Sequence, residues 1–150
     1  MTRVLSPLEG RIVALQDVPD PVFADALVGP GVAIDPIRGP ADAVSPVSGR
    51  LVKLHPHAFV VMTDEGAGVL VHLGIDTVAL KGEGFRLHVE EGSTVSAGQC
   101  IVSWNPAEIE VGGRSPICPV VALDAKPEQL SELAPTGVVQ AGSPLFTWSV

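Results

Sequence analysis

Basic side chains are scarce: the 150-residue chain has nine Lys and Arg against seventeen Asp and Glu, a formal charge of −8. Proteins that bind nucleic acid cluster Lys and Arg to displace counterions from phosphates, so nucleic acid is excluded as a partner. An acidic surface would instead steer a basic protein toward it. Cysteine is also rare. Cys100 and Cys118 sit in apolar stretches and form no C-x-x-C pair, which argues against a disulfide framework or zinc ribbon and for two buried, reduced thiols. No window approaches the roughly 18 consecutive apolar residues of a membrane span. The opening "MTRVLSPLEG" has no apolar signal core, so a cytoplasmic location is expected.

Nucleotide and esterase signatures are missing as well. There is no G-x-x-x-x-G-K-[ST], and "KGEGF" is a bare G-x-G in which Gly82 and Gly84 read as turn residues. There is no G-x-S-x-G, hence no nucleophile-elbow serine. The carboxylates are scattered, so none stands out as an acid–base pair.

What the chain does have is punctuation: 14 Pro and 16 Gly break it into short, Val-rich runs. "RIVAL", "GVAID", "RLVKL", "AFVVMT", "GVLVHLG", "CIVSW" and "PVVAL" predict an all-β antiparallel sandwich or barrel. Only "NPAEIEVGG", with Asn105 as cap and Pro106 in the first turn, and "KPEQLSELA" offer helical starts, both short. The chain also repeats itself. "SPLEGRIVAL" at residue 6 returns as "SPVSGRLVKL" at residue 45, and "VSAGQCIVSW" at residue 95 returns as "VQAGSPLFTW" at residue 139. Two copies of a strand-and-turn unit are too few for a solenoid and indicate duplication within one domain. Nothing marks a linker, so residues 1–150 are expected to form a single domain.

Two histidines stand in apolar settings: His57 in "KLHPHAFVVM" and His72 in "VLVHLGIDTV". A lone histidine on an apolar strand is more often a core residue held by one hydrogen bond than a reactive group. The pair changes that reading. A turn at residues 64–68 would make the two runs a hairpin and bring both rings into one pocket. Such a pair supports two chemistries. H-x-H at residues 55–57 with H-x-x-x-D at residues 72–76 suits a zinc hydrolase with an open coordination position. A neutral imidazole nucleophile suits a phosphoryl relay, which needs no nucleotide site.

"VHLGIDTVALKGEGF", "DVPDPVFADALVGPGVAI", "HAFVV", "SPLEGRI" and "PVSGRL" resemble the glucose-type enzyme IIA component of the bacterial sugar phosphotransferase system from about residue 4 onward. The resemblance implies a compact antiparallel β-sandwich built on a duplicated motif, with one or two short helices. It implies phosphotransferase activity in which His72 accepts a phosphoryl group from the carrier HPr and passes it to a cysteine on the IIB domain of a sugar permease, supported by His57. The docking rim it implies is Asp20, Val22, Phe23, Val28, Asp76 and Val78. No cofactor is required, although His57 and His72 could bind zinc weakly. A monomer is expected, reaching the membrane only through the permease. His55 stands where the family usually has a threonine that orients the first histidine, and Leu73 where Phe is common.

Cell-wall metallopeptidases share the duplicated architecture and use the same two metal motifs, which makes the zinc hydrolase an alternative, but their chain order is the reverse of the one here, which places it second. A regulatory binding module without transfer is another. For relay chemistry the attacking nitrogen must be neutral, and burial favours the neutral ring. A carbonyl accepting from Nδ1 of His72 would leave Nε2 free, and Gly74 is the natural source of that carbonyl.

Overall fold

β-Branched residues separated by Gly and Pro build fourteen short strands and two helices in the computed structural model, which describes residues 1–149. In chain order they are β1 (Thr2–Leu5), β2 (Gly10–Ala14), α1 (Pro21–Ala24), β3 (Gly31–Pro36), β4 (Ala41–Val44), β5 (Gly49–His55), β6 (Ala58–Met62) and β7 (Gly68–His72). There follow β8 (Arg86–Leu87), β9 (Thr94–Val95), β10 (Cys100–Trp104), α2 (Pro106–Val111), β11 (Cys118–Ala122), β12 (Leu130–Ser131), β13 (Val138–Val139) and β14 (Pro144–Trp148).

Every ladder is antiparallel. The largest sheet has the order β13-β2-β3-β11-β7-β6-β5-β9, and two three-stranded sheets, β1-β14-β12 and β4-β10-β8, accompany it. β11 lies inside the large sheet and is buried at every residue, as an unbroken apolar run should be. β2 and β5 alternate between buried and exposed residues and so wet one face. The main core includes Leu8, Ile34, Leu51, Phe59, Ile101 and Phe146. A smaller core of Leu15, Val18, Phe23, Ala33, Ile75 and Val121 lies beneath α1 and the segment after β7.

The sequence repeat is a structural one. Ser6 and Ser45 each fold a hydroxyl onto the carbonyl two residues ahead, Leu8 O at 2.7 Å and Val47 O at 2.6 Å. Their own carbonyls accept from Gly142 N and Gly98 N, both at 2.8 Å. The copies also lock reciprocally: Leu5 N donates to Pro46 O at 2.9 Å and Val44 N to Pro7 O at 3.0 Å.

The "NPAEIEVGG" expectation matches α2, where Asn105 Oδ1 caps Ala107 N at 3.0 Å. "KPEQLSELA" needs correction. It makes one 3-10 turn, Pro127–Gln129, because Leu130 and Ser131 pair with Trp148 and Thr147. α1 was not anticipated, although Asp20 caps Val22 N at 2.9 Å ahead of Pro21 just as Asn105 precedes Pro106. Cys118 is buried and Cys100 half-buried, both as free thiols. Among the described residues no helix is long and apolar enough to cross a membrane.

Candidate functional site

The turn after β6 closes with Thr63 N on Ala67 O at 2.9 Å, and the resulting register sets Ala58 opposite His72. Leu73 N then donates to His57 O at 2.7 Å, so one histidine precedes β6 while the other ends β7, side by side. Their rings meet edge to face with centroids 5.2 Å apart and planes at 72°. Phe23 from α1 closes on the other side of His72, also with centroids 5.2 Å apart.

Past His72 the chain leaves the sheet in a tightly held loop. Gly74 takes φ +80°, and a Cβ there would lie 2.7 Å from Thr77 Cγ2 and 3.1 Å from Ser115 O, so only glycine fits. Ile75 N donates to Ser115 O at 2.9 Å, and the buried Thr77 hydroxyl donates to Leu73 O at 2.7 Å. Thr77 and Ser115 escaped the sequence reading. The T in "GIDT" was visible as a residue able to bond back onto its loop, whereas Ser115 acts through a carbonyl that any residue supplies. The loop returns the Gly74 carbonyl to His72, with Nδ1 donating to it at 2.6 Å. Nε2 of the neutral ring therefore keeps its lone pair.

Burial pushes the His72 pKa below its usual value, opposed by the Gly74 carbonyl and by the carboxylates of Asp20 and Asp76. Burial also lowers His57, followed by the charges His72 and His55 would carry. Both rings are thus neutral at pH 7. His55 stacks on His57 with centroids 5.7 Å apart and planes at 25°, a face contact rather than the hydrogen bond a threonine hydroxyl would make. Among the described residues, His55, His57, His72 and Asp76 supply no three donors within reach of one metal ion.

The surrounding residues divide into exposed and buried sets. Val22 is 44% exposed and Val78 63%, and Leu27, which the sequence did not single out, is 70% exposed. Asp76 is exposed and left-handed at φ 60°, and Asp20 is half-buried. Phe23 departs from its expected place on the docking rim. It is only 6% exposed and belongs to the smaller core, because α1 lays that side chain inward against Val18, Val121 and the His72 ring. Val28 is half-buried against the same cluster.

The architecture that holds these rings is that of a IIA protein. Glucose permease IIA from Mycoplasma capricolum superposes with a TM-score of 0.88 and 34% identity, covering 96% of this chain and 93% of that one. The chain belongs to the EIIA 1 family of the phosphoenolpyruvate-dependent sugar phosphotransferase system, whose family model matches residues 2–127. The glucose-specific EIIA component of Oceanobacillus iheyensis is 42% identical over 118 residues, 79% of this chain and 72% of that protein. The N-acetylglucosamine-specific EIICBA component of Escherichia coli K12 is 46% identical over 123 residues, 81% of this chain but only 19% of that much longer protein. Family membership gives the chain a phosphoryl-relay role in sugar transport and phosphotransferase activity in the general sense.

Proposed function

We propose that His72 accepts a phosphoryl group from phosphorylated HPr and delivers it to a cysteine on the IIB domain of a sugar permease, in the cytoplasm and as a monomer. The observation that carries this is the 2.6 Å bond from His72 Nδ1 to Gly74 O, which fixes the tautomer whose Nε2 is nucleophilic. In the first step the Nε2 lone pair attacks phosphorus, a new N–P bond forms, and the bond to the carrier's histidine breaks. In the second the IIB thiolate attacks, an S–P bond forms, and His72 recovers its lone pair. While Nε2 is bonded to phosphorus and Nδ1 keeps its proton, the ring is positively charged. The Gly74 carbonyl and the Asp20 and Asp76 carboxylates face that charge.

His57, its ring 5.2 Å from that of His72, would hold a proton for the phosphoryl oxygens. Val22, Val78 and Leu27 offer a small apolar patch beside acidic Asp20 and Asp76, which suits a transient encounter with a basic carrier. Acceptance by a permease is supported by relatives in which the homologous segment is one part of an EIICBA or EIIBCA chain. Sugar specificity resides in the permease. The chemistry uses no cofactor. Zinc at His57 and His72 would have only two protein ligands and would be weak.

Incubation with phosphoenolpyruvate, enzyme I and HPr tests the proposal. One acid-labile, base-stable phosphoryl group per chain should appear on His72 and vanish in His72→Gln. Label on His57, or none on a folded wild-type protein, would overturn it, the latter leaving a regulatory module. Labelling should withstand a chelator, which a zinc hydrolase activity would not.

A further inference from the structure

The sheet β4-β10-β8 carries a second group of chemically apt side chains that shares no residue with the histidine site. Asp42 lies on β4, Cys100 on β10 and His88 just after β8, and one ligand atom from each lies within 4.8 Å of the other two. We propose that Asp42, His88 and Cys100 form a binding site for a divalent metal ion, zinc being the best fit.

Strand pairing brings the three together. Asp42 is paired with Ser103, and His88 N donates to Ile101 O at 3.0 Å, so both flank β10. The ladder shifts register between Cys100 and Val102, a bulge that inserts Ile101. One extra residue reverses the alternation of faces, which brings the Cys100 side chain to the face that carries Ser103. Ser103 in turn ties the other two donors: its hydroxyl donates to Asp42 Oδ1 at 2.6 Å and meets His88 Nε2 at 2.6 Å. Because the hydroxyl hydrogen goes to Asp42, Nε2 must donate in this state. The serine thus holds carboxylate and imidazole in place as an outer-shell partner does around a metal.

The duplication provides an internal control. The sheet β1-β14-β12 repeats the same strand order and the same bulge, with a register shift between Val4 and Leu5 opposite Pro144 and Phe146. There Arg3 and Pro144 correspond to Asp42 and Cys100, and Ala134, whose N donates to Leu145 O at 2.8 Å as His88 N does to Ile101 O, takes the place of His88. The scaffold therefore forms without these donors, and only one copy assembles thiol, imidazole and carboxylate.

A mixed sulfur, nitrogen and oxygen set is characteristic of zinc, with three protein ligands and a solvent molecule in the fourth position. Asp42 and His88 are exposed, so solvent can reach that position. Tetrahedral coordination needs ligand atoms about 3.5 Å apart, a small contraction from the present arrangement. As the metal–Sγ bond forms, the Cys100 proton leaves to solvent, and thiolate plus carboxylate balance the charge of the dication. The ion would pin β8 to β4 across β10, and metal should raise the unfolding temperature.

Cobalt(II) is the probe, because thiolate ligation gives a charge-transfer band in the near ultraviolet. Titration of the His57→Gln/His72→Gln protein, which lacks the other imidazole pair, should give that band saturating at one equivalent and displaced by zinc. Cys100→Ser should abolish it, and His88→Gln and Asp42→Asn, both on exposed side chains, should each weaken cobalt binding by more than about tenfold. The proposal fails if no band forms at one equivalent, if the band survives Cys100→Ser, or if His88→Gln and Asp42→Asn bind cobalt as tightly as the parent.

Discussion

Replacing Gly74 with alanine should damage stability and the nucleophile together, by amounts that follow from the loop geometry. At φ +80° a residue bearing a Cβ is disfavoured by about 1–2 kcal/mol. The new Cβ would also press within 2.7 Å of Thr77 Cγ2 and 3.1 Å of Ser115 O. Thr77 is fully buried and its hydroxyl is committed to Leu73 O, so it cannot simply rotate away. Overpacking of this kind costs about 1–3 kcal/mol. The expected loss is therefore about 3 kcal/mol, read as a lower urea midpoint with an unchanged m-value. The loop can relieve the clash only by moving the Gly74 carbonyl off His72 Nδ1. Losing a hydrogen bond worth about 1 kcal/mol would cut the Nε2-nucleophilic tautomer relative to the other about fivefold. Nitrogen NMR of His72 reads the tautomer directly, and single-turnover phosphorylation should slow in parallel. A Gly74→Ala protein that loses less than about 1 kcal/mol and keeps Nε2 unprotonated would refute this account of the loop.

Stability should also depend on the two imidazoles. Burial lowers both His72 and His57, so the unfolded chain takes up protons at higher pH than the folded one. Their contribution is fully present above the unfolded value of about 6.5 and is lost as pH falls through the lower folded values. Urea midpoints should therefore drop between pH 7 and pH 5, and His72→Gln should flatten that drop; an unchanged slope in the variant would count against the buried ring. With a phosphoryl group on His72, about two negative charges lie beside His57, so its NMR titration midpoint should rise, and His57→Gln should slow transfer while leaving the unfolding free energy from urea within about 1 kcal/mol of wild type. A midpoint that does not move, together with wild-type transfer rates, would make His57 a bystander.

The seven longest Val-rich runs were legible as strands because alternation and Gly or Pro boundaries are local properties, and β10 follows "CIVSW" residue for residue. The two-residue strands β8, β9, β12 and β13 were not legible. Each is too short to carry a pattern and exists because a longer neighbour offers it hydrogen bonds. The same effect turned "KPEQLSELA" away from helix, since pairing of Leu130 with Trp148 outweighs the propensity of a few residues. At the site, the meeting of His57 and His72 followed from the spacing of two strands about one turn, which a sequence displays. The burial of Phe23 did not, because the tilt of a one-turn helix is set by what it packs on, here Val121 and the His72 ring. The Asp42, His88 and Cys100 group was invisible for a related reason: its residues lie far apart in sequence, and a single inserted residue in β10 decides which way the thiol faces.

The pairing of β1 with β14, Thr2 opposite Trp148, has a consequence in time. β14 follows β1 in the chain by well over a hundred residues, so at ordinary rates of translation the first strand waits on the order of 10 s for its neighbour. Until then Val4, fully buried in the finished protein, has no strand to lie against. The second copy of the repeat is less exposed to this delay. β4 finds β10 within the same stretch of nascent chain, so the half that holds Cys100 can close while the half that holds β1 still lacks its last strand.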